Sequence, residues 1–467
     1  MAQFINQPTD LNDQDGEKRY EVVMVATGKD GSVVEASNPL PVTGGTGSNN
    51  SLLVSLGGTN LDAFGRLRIS EPYTLADYSH VYGEEVELLT ATSGSGTKTL
   101  RANEASVRLS VGTGNGNFVV HQSRMHHHYM PGKSQLALMS FMFGTARTNT
   151  VKRIGLFGEE DGVYFQQAGD GTLQFVKRTS ITGSVVDQTP INQSQWNVDK
   201  CDGTGASGFN LQITATQLFF CDYQWLGVGR LRVGFVHEGE FIVAHEFIHS
   251  NILATVYWRN PNLPIRCEIR NTGVAVGTAF MDQICSTVMS EGGYVEAGVN
   301  FSNYAENILL AKGSPAAAKC LMAIRLTDTY QSLPNRSVVR LTDLNILSDS
   351  ATIVFELWRL PGDANITGGS WVAANSSSVV EYNITAGTSF NTTGGELFAS
   401  GFVAANNPSG KQASGGNSIA DPIKAKRAYL SQNITSTESN VFALVARNLS
   451  TTADTNAYAS MQWRETR

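Results

Sequence analysis

The residues best placed to do chemistry are His245-Glu246-Phe247-Ile248-His249, a formal HExxH. In a zinc hydrolase the two histidines share one face of a helix, and the Glu between them serves as base. Here the motif continues an apolar run from Phe241 and carries no helical period. In an extended chain, His245 and His249 share a face about 13 Å apart at ~3.3 Å per residue, too far to chelate one ion. Glu268 follows, but in a separate strand-like run, Arg266–Arg270. The expectation is a strand with partly buried histidines and no catalytic zinc.

A second histidine group, His126-His127-His128, offers a different geometry. In a strand His126 and His128 point the same way, and copies around a threefold axis could converge their imidazoles on a metal. The ordinary alternative is a polar hairpin strand feeding the Pro131-Gly132 turn. Asp10 to Gly16 faintly suggests a calcium loop, but its Gly falls at the seventh position rather than the sixth. Glu159, Glu160 and Asp161 fall together at a hairpin tip, without the opposed carboxyls of a glycosidase. No nucleophile elbow, P-loop or dinucleotide fingerprint occurs. No catalytic, cofactor-binding or metal-ligating residue is therefore assigned, no cofactor is expected, and the chain reads as a non-enzyme.

Trp196, Tyr223, Trp225, Tyr257 and Trp258 could floor a sugar site, because aromatic faces stack on pyranose rings; equally, aromatics fill cores. The Asn-x-Ser/Thr triplets at Asn365, Asn383, Asn391 and Asn433 act as glycosylation acceptors only in a secretory context. The first residues show no basic stretch followed by an apolar core, so no leader is expected. No run approaches the ~18 apolar residues of a membrane span, and no membrane insertion is expected.

The elements that must position these residues are strands. Ala105–Val111 and Gly229–Val236 alternate apolar and polar positions with period two. Arg153–Gly158, Val163–Gln167 and Thr172–Arg178 are separated by Glu-Asp-Gly and Asp-Gly turns, and His237–Glu240 joins Gly229–Val236 to Phe241–Ile248. These read as hairpins. Asn440–Arg447 is a further strand, paired in this reading with Ala459–Arg464. The expected fold is all-β: an extended N-terminal arm followed by two β-sandwich or jelly-roll-like domains. The arm and linker occupy 1–60, with one strand at Tyr20–Thr27 and a Gly/Ser/Asn-rich tether after Pro39 and Pro41. The central sandwich occupies 61–300 and the C-terminal sandwich 301–467.

Composition supports this. Of 467 residues, 41% are hydrophobic and 16% charged, enough apolar material for real cores. Lys+Arg of 34 against Asp+Glu of 41 gives −7, and an acidic chain is a poor nucleic-acid binder. The five cysteines are odd in number and widely spaced, which suggests a reducing assembly compartment. Cys221 and Cys267 read as small buried hydrophobes.

Several blocks resemble those of uncharacterised virion structural proteins of tailed bacteriophages, especially marine ones. They are Leu61–Leu75, Pro131–Ser134, Gln224–Phe235, Asn262–Arg266 and Ile284–Val288. The resemblance covers about 60–300. It implies a virion component assembled in the host cytoplasm, placed on tail, baseplate or head exterior, and it carries no catalytic set. By analogy with phage appendages the expected assembly is a homotrimer of copies of the chain, with other virion proteins engaged through the N-terminal arm. The alternative function is a host-glycan-binding adsorption module on the virion, with a host surface glycan as its partner.

Overall fold

Alternation becomes pleat wherever one strand face has a core to meet. The computed structural model describes residues 72–295, 298–313, 317–384, 389–405, 428–435 and 437–467, and the expected arm, the Tyr20–Thr27 strand and the Asp10–Gly16 turn lie outside them. Residues 59–467 cluster as one compact unit. The described residues are all-β, arranged as two sandwiches.

The first sixteen strands in chain order are β1 (Tyr73–Ser79), β2 (Leu88–Ser93), β3 (Thr97–Arg101), β4 (Ser106–Val111), β5 (Phe118–Ser123), β6 (Ser134–Met142), β7 (Thr150–Phe157), β8 (Gly162–Gln167), β9 (Leu173–Thr179), β10 (Val186–Asp187), β11 (Ile191–Asn192), β12 (Gln217–Tyr223), β13 (Leu231–His237), β14 (Glu240–Phe247), β15 (Ile265–Asn271) and β16 (Ala279–Glu291). One sheet has the order β14-β13-β12-β6-β16-β4-β3, with β1 also paired to β16. The other has the order β10-β9-β8-β7-β15-β5-β2, with β11 also on β9. Their inner faces share a core that includes Val107, Leu109, Phe141, Phe165, Phe219, Phe235 and Ile269, all fully buried. The expected hairpins β7–β8, β8–β9 and β13–β14 are antiparallel neighbours. Cys221 and Cys267 are buried in β12 and β15.

The second sandwich uses β17 (Val299–Leu310), β18 (Lys319–Leu326), β19 (Thr329–Tyr330), β20 (Leu333–Pro334), β21 (Val338–Ser348), β22 (Ile353–Leu360), β23 (Ile366–Thr367), β24 (Val372–Ala373), β25 (Val380–Asn383), β26 (Ser389–Phe390), β27 (Glu396–Val403), β28 (Tyr429–Leu430), β29 (Val441–Asn448) and β30 (Thr455–Thr466). A four-stranded sheet, β17-β30-β21-β28, faces a six-stranded one, β24-β25-β18-β29-β22-β27. The expected pairing of Asn440–Arg447 with Ala459–Arg464 does not occur. β29 pairs with β18 and β22, whereas β30 pairs with β17 and β21. The turn at 449–454 carries the chain across the core rather than back along one sheet. Both strands present apolar residues to the same core, so alternation alone does not distinguish the two routes.

The sandwiches meet through buried charge. Glu87, just before β2, accepts from Arg359 Nη2 at 2.6 Å and from the Tyr429 hydroxyl, with Arg124 Nε at 3.9 Å. Arg359 also reaches Glu396 at 2.6 Å. Beside this, Arg336 grips both oxygens of Glu160, at 3.0 and 3.1 Å. Glu87, Arg359 and Tyr429 are each less than 5% exposed. Burial raises the Glu87 pKa, but Arg359, Tyr429 and Arg124 outweigh it and hold the carboxyl below its ordinary value.

Breaking one side of a buried pair leaves a charge uncompensated, so Arg359→Met should lower unfolding free energy by about 3–5 kcal/mol, read from urea denaturation. Replacing both partners with apolar residues should recover much of that loss. Because the folded-state pKa of Glu87 is depressed, its contribution is present above the unfolded pKa and lost as pH falls through the folded one. The stability gap between the native chain and Glu87→Gln should therefore narrow on acidification.

Candidate functional site

The HExxH segment is extended, as its pattern demands. His245 and Glu246 lie in β14, whose register sets His245 opposite Val233 and Glu246 opposite Arg232. His249 follows the strand, and both histidines are buried more deeply than expected, at 8% and 2% exposure. Burial, with the nearby Lys177 charge, lowers each pKa to about 4. His249 Nδ1 donates to the Gly229 carbonyl at 2.7 Å, which leaves Nε2 as an acceptor for Lys177 Nζ, also at 2.7 Å. Glu268 sits in the opposite sheet, held by Arg266, Arg153 and Arg270 at 2.6, 3.3 and 3.0 Å. These guanidiniums occupy its oxygens and hold it well below the carboxylate range despite burial. Among the described residues no group of three or more His, Cys, Asp or Glu is placed to hold a metal.

His126–His128 is not a hairpin strand. β5 and β6 belong to different sheets, and the histidines lie on the crossing between them. Only His127 makes a ladder contact, an isolated bridge to Leu263. Its Nδ1 donates to the Leu263 carbonyl at 2.8 Å and Tyr78 reaches its Nε2 at 3.1 Å. Burial lowers the pKa of His126 and of His128, aided by Arg336 at the first and Arg340 at the second. Cations beside both rings work against a metal there.

The hairpin tip carboxylates serve the fold. Glu159 pairs with Arg266 at 2.6 Å and Glu160 with Arg336. Asp161 accepts from the backbone of Ser180, Arg259 and Asn260 at 2.9 to 3.2 Å, tying three loops together. Trp258 and Tyr257 are fully buried, as is Tyr223, and Trp196 is 4% exposed. Trp225, partly buried, packs edge-on to Tyr129 and donates to the Trp258 carbonyl at 3.2 Å. The aromatics that could have floored a sugar site are core.

The open aromatic surface lies on the second sandwich. Tyr304 of β17 pairs with Ser460 of β30, which pairs with Asn345 of β21. Ala305, Ile346 and Ala459 alternate with them and point into the core. The outward row thus bears Tyr304, Ser460 and Asn345, with Tyr458 and Leu347 paired alongside. A bulge between Ala305 and Ile308 puts Asn307 in the left-handed region, φ 57°, and its Oδ1 accepts from the Tyr458 hydroxyl at 2.9 Å. Tyr304 is 63% exposed. Together with Glu306 these residues line a shallow trough of about 460 Å³. Two phenol rings beside hydroxyl, amide and carboxylate groups suit a ligand with apolar C–H faces and a rim of hydroxyls. The trough was not legible in the sequence because its tyrosines come from strands at opposite ends of the domain.

No family model matches the chain, and no curated protein matches it significantly. Solved structures similar to it include the metal-free Emp46p carbohydrate recognition domain, at 9% identity and TM-score 0.28, over 46% of this chain and 95% of that one. The CBM2 module of the evolved Dit of Lactobacillus casei BL23 phage J-1 is similar at 7% identity and TM-score 0.32, over 48% and 99%. A Bacteroides ovatus mixed-linkage glucan GH16 protein is similar at 9% identity and TM-score 0.31, over 46% and 99%. At these identities the likeness is one of fold alone.

The two aromatic sets should separate cleanly on substitution. Trp258→Ala should cost about 3–5 kcal/mol of unfolding free energy through cavity formation. Tyr304→Ala, at an exposed position, should change it by about 0.5 kcal/mol or less. Chemical denaturation of both variants checks this.

Proposed function

We propose that the chain is a non-enzymatic structural and recognition subunit of a tailed-phage particle, binding a surface glycan through the Tyr304–Tyr458 trough. The observation that carries the recognition part is an exposed tyrosine and its neighbour flanking an open trough, rimmed by Ser460, Asn345 and Glu306. The resemblance of blocks within 60–300 to phage virion proteins supports the particle setting. In this reading the sandwiches form the body, copies assemble as a homotrimer, and residues 1–60 attach the subunit to other virion proteins.

On a glycan array the intact chain should bind a defined subset of sugars, and Tyr304→Ala with Tyr458→Ala should weaken that binding by about tenfold or more. An intact chain that binds no glycan would leave only the structural role. Deleting residues 1–55 should abolish incorporation into particles while circular dichroism and thermal unfolding of the remainder stay unchanged. Normal incorporation of the truncated chain would rule out the anchor.

A further inference from the structure

A second pocket opens on the central sandwich, away from the trough, and its lining includes a buried cation that no carboxylate among the described residues pairs with. Its volume is about 550 Å³, and its lining includes Lys177, Asp187, Gln188, Thr189, Ile191 and Phe247. Lys177 stands two residues after Phe175 on β9 and so shares its inward face, at the margin where the core meets solvent. It is 6% exposed. Its Nζ donates to His249 Nε2 at 2.7 Å and lies 5.3 Å from the Phe247 ring centre and 5.4 Å from that of Tyr257.

None of these neighbours is an anion. The His249 ring is neutral, with its only proton committed to the Gly229 carbonyl, and it stacks on Tyr257 at 3.9 Å. Asp187, the one carboxylate in the lining, is already held by Arg178 through Nε at 2.8 Å and Nη2 at 3.1 Å, with Arg153 at 4.0 Å. Among the described residues no carboxylate pairs with Lys177 Nζ. A desolvated ammonium supported only by ring faces and an imidazole lone pair is a costly arrangement, and a matching anion would relieve it. Burial accordingly lowers its pKa to about 8.

We propose that this pocket is a carboxylate-binding site in which Lys177 Nζ pairs with the anionic group of a small ligand, of the kind an acidic sugar carries. Phe247 and Ile191 supply apolar walls for the ligand body, and Gln188 and Thr189 supply polar groups at the mouth. The inference goes beyond the trough reading and does not rest on it.

The test uses the full chain carrying nitrogen-labelled lysine, with sodium glucuronate, sodium acetate and glucose as probes. In the unliganded chain the Lys177 amine should titrate near 8. An anion that binds the charged amine tenfold better than the neutral one raises that midpoint by about one unit. Glucuronate should do so and glucose should not; acetate acting as well would mark the carboxylate itself as sufficient. Lys177→Met should weaken glucuronate binding by about tenfold or more in calorimetry, while Tyr304→Ala leaves it unchanged. A midpoint unmoved by both anions, or moved equally by glucose, overturns the site. The midpoint is read on the native chain, so it decides the matter even where Lys177→Met fails to fold.

Discussion

The structure turns on a carboxylate that cannot be left alone. Glu87 belongs to the first sandwich, yet its main partners, Arg359 and Tyr429, belong to the second. A buried carboxylate without those partners would cost several kcal/mol, so the two sandwiches are held to one mutual placement. Apolar contact alone tolerates sliding, whereas a guanidinium that must meet Glu87 on one side and Glu396 on the other does not. The Arg336–Glu160 pair adds a second fixed point. Two layered domains joined only by a tether would move independently by default; these are instead part of one compact unit.

The same pairing of buried charge operates within the first sandwich. Asp222 of β12 and Arg232 of β13 are directly opposed in register and both buried, with Ser134 donating to the second carboxylate oxygen at 2.7 Å. Glu268 is surrounded by three arginines on the second sheet. Asp161 is satisfied by backbone N–H groups and the Ser180 hydroxyl rather than by a cation. Lys177 differs from these carboxylate sites, since its charge is met by an imidazole and two rings. Buried Lys152 likewise pairs with no anion among the described residues and donates instead to the Phe143 and Thr145 carbonyls. The loop at Gln224–Gly229, which supplies the carbonyl that fixes the His249 tautomer, depends on glycine: a Cβ at Gly229 would strike the Gln224 carbonyl oxygen.

What could be read from the chain was local. Asp170-Gly171 and Glu238-Gly239 lie in tight turns between strands that do pair, and turn chemistry acts over a few residues. The extended state of His245–His249 was legible for the same reason, because the apolar pattern around it has the wrong period for a helix. Crossings between sheets were not legible. β4 to β5, β5 to β6 and β29 to β30 each pass from one sheet of a sandwich to the other, and alternation is identical on either route. The buried tryptophans drew attention as a sugar platform because side-chain type is visible in sequence and burial is not. Tyr304 and Tyr458 become neighbours only through the β17–β30 register.

The trough also answers a problem that every open sheet faces. β17 is the edge of its sheet, and a straight edge strand invites pairing with another chain. The bulge between Ala305 and Ile308 interrupts that row of ladder groups and bends the strand. By placing Asn307 in the left-handed region it brings a side-chain oxygen to Tyr458, which orients the second ring of the trough. One irregularity thereby protects the edge and shapes the surface beside it. An edge altered in this way is poorly suited to strand addition, where an incoming chain needs an unbroken ladder. It remains suited to a ligand engaged by rings and polar side chains standing off the sheet.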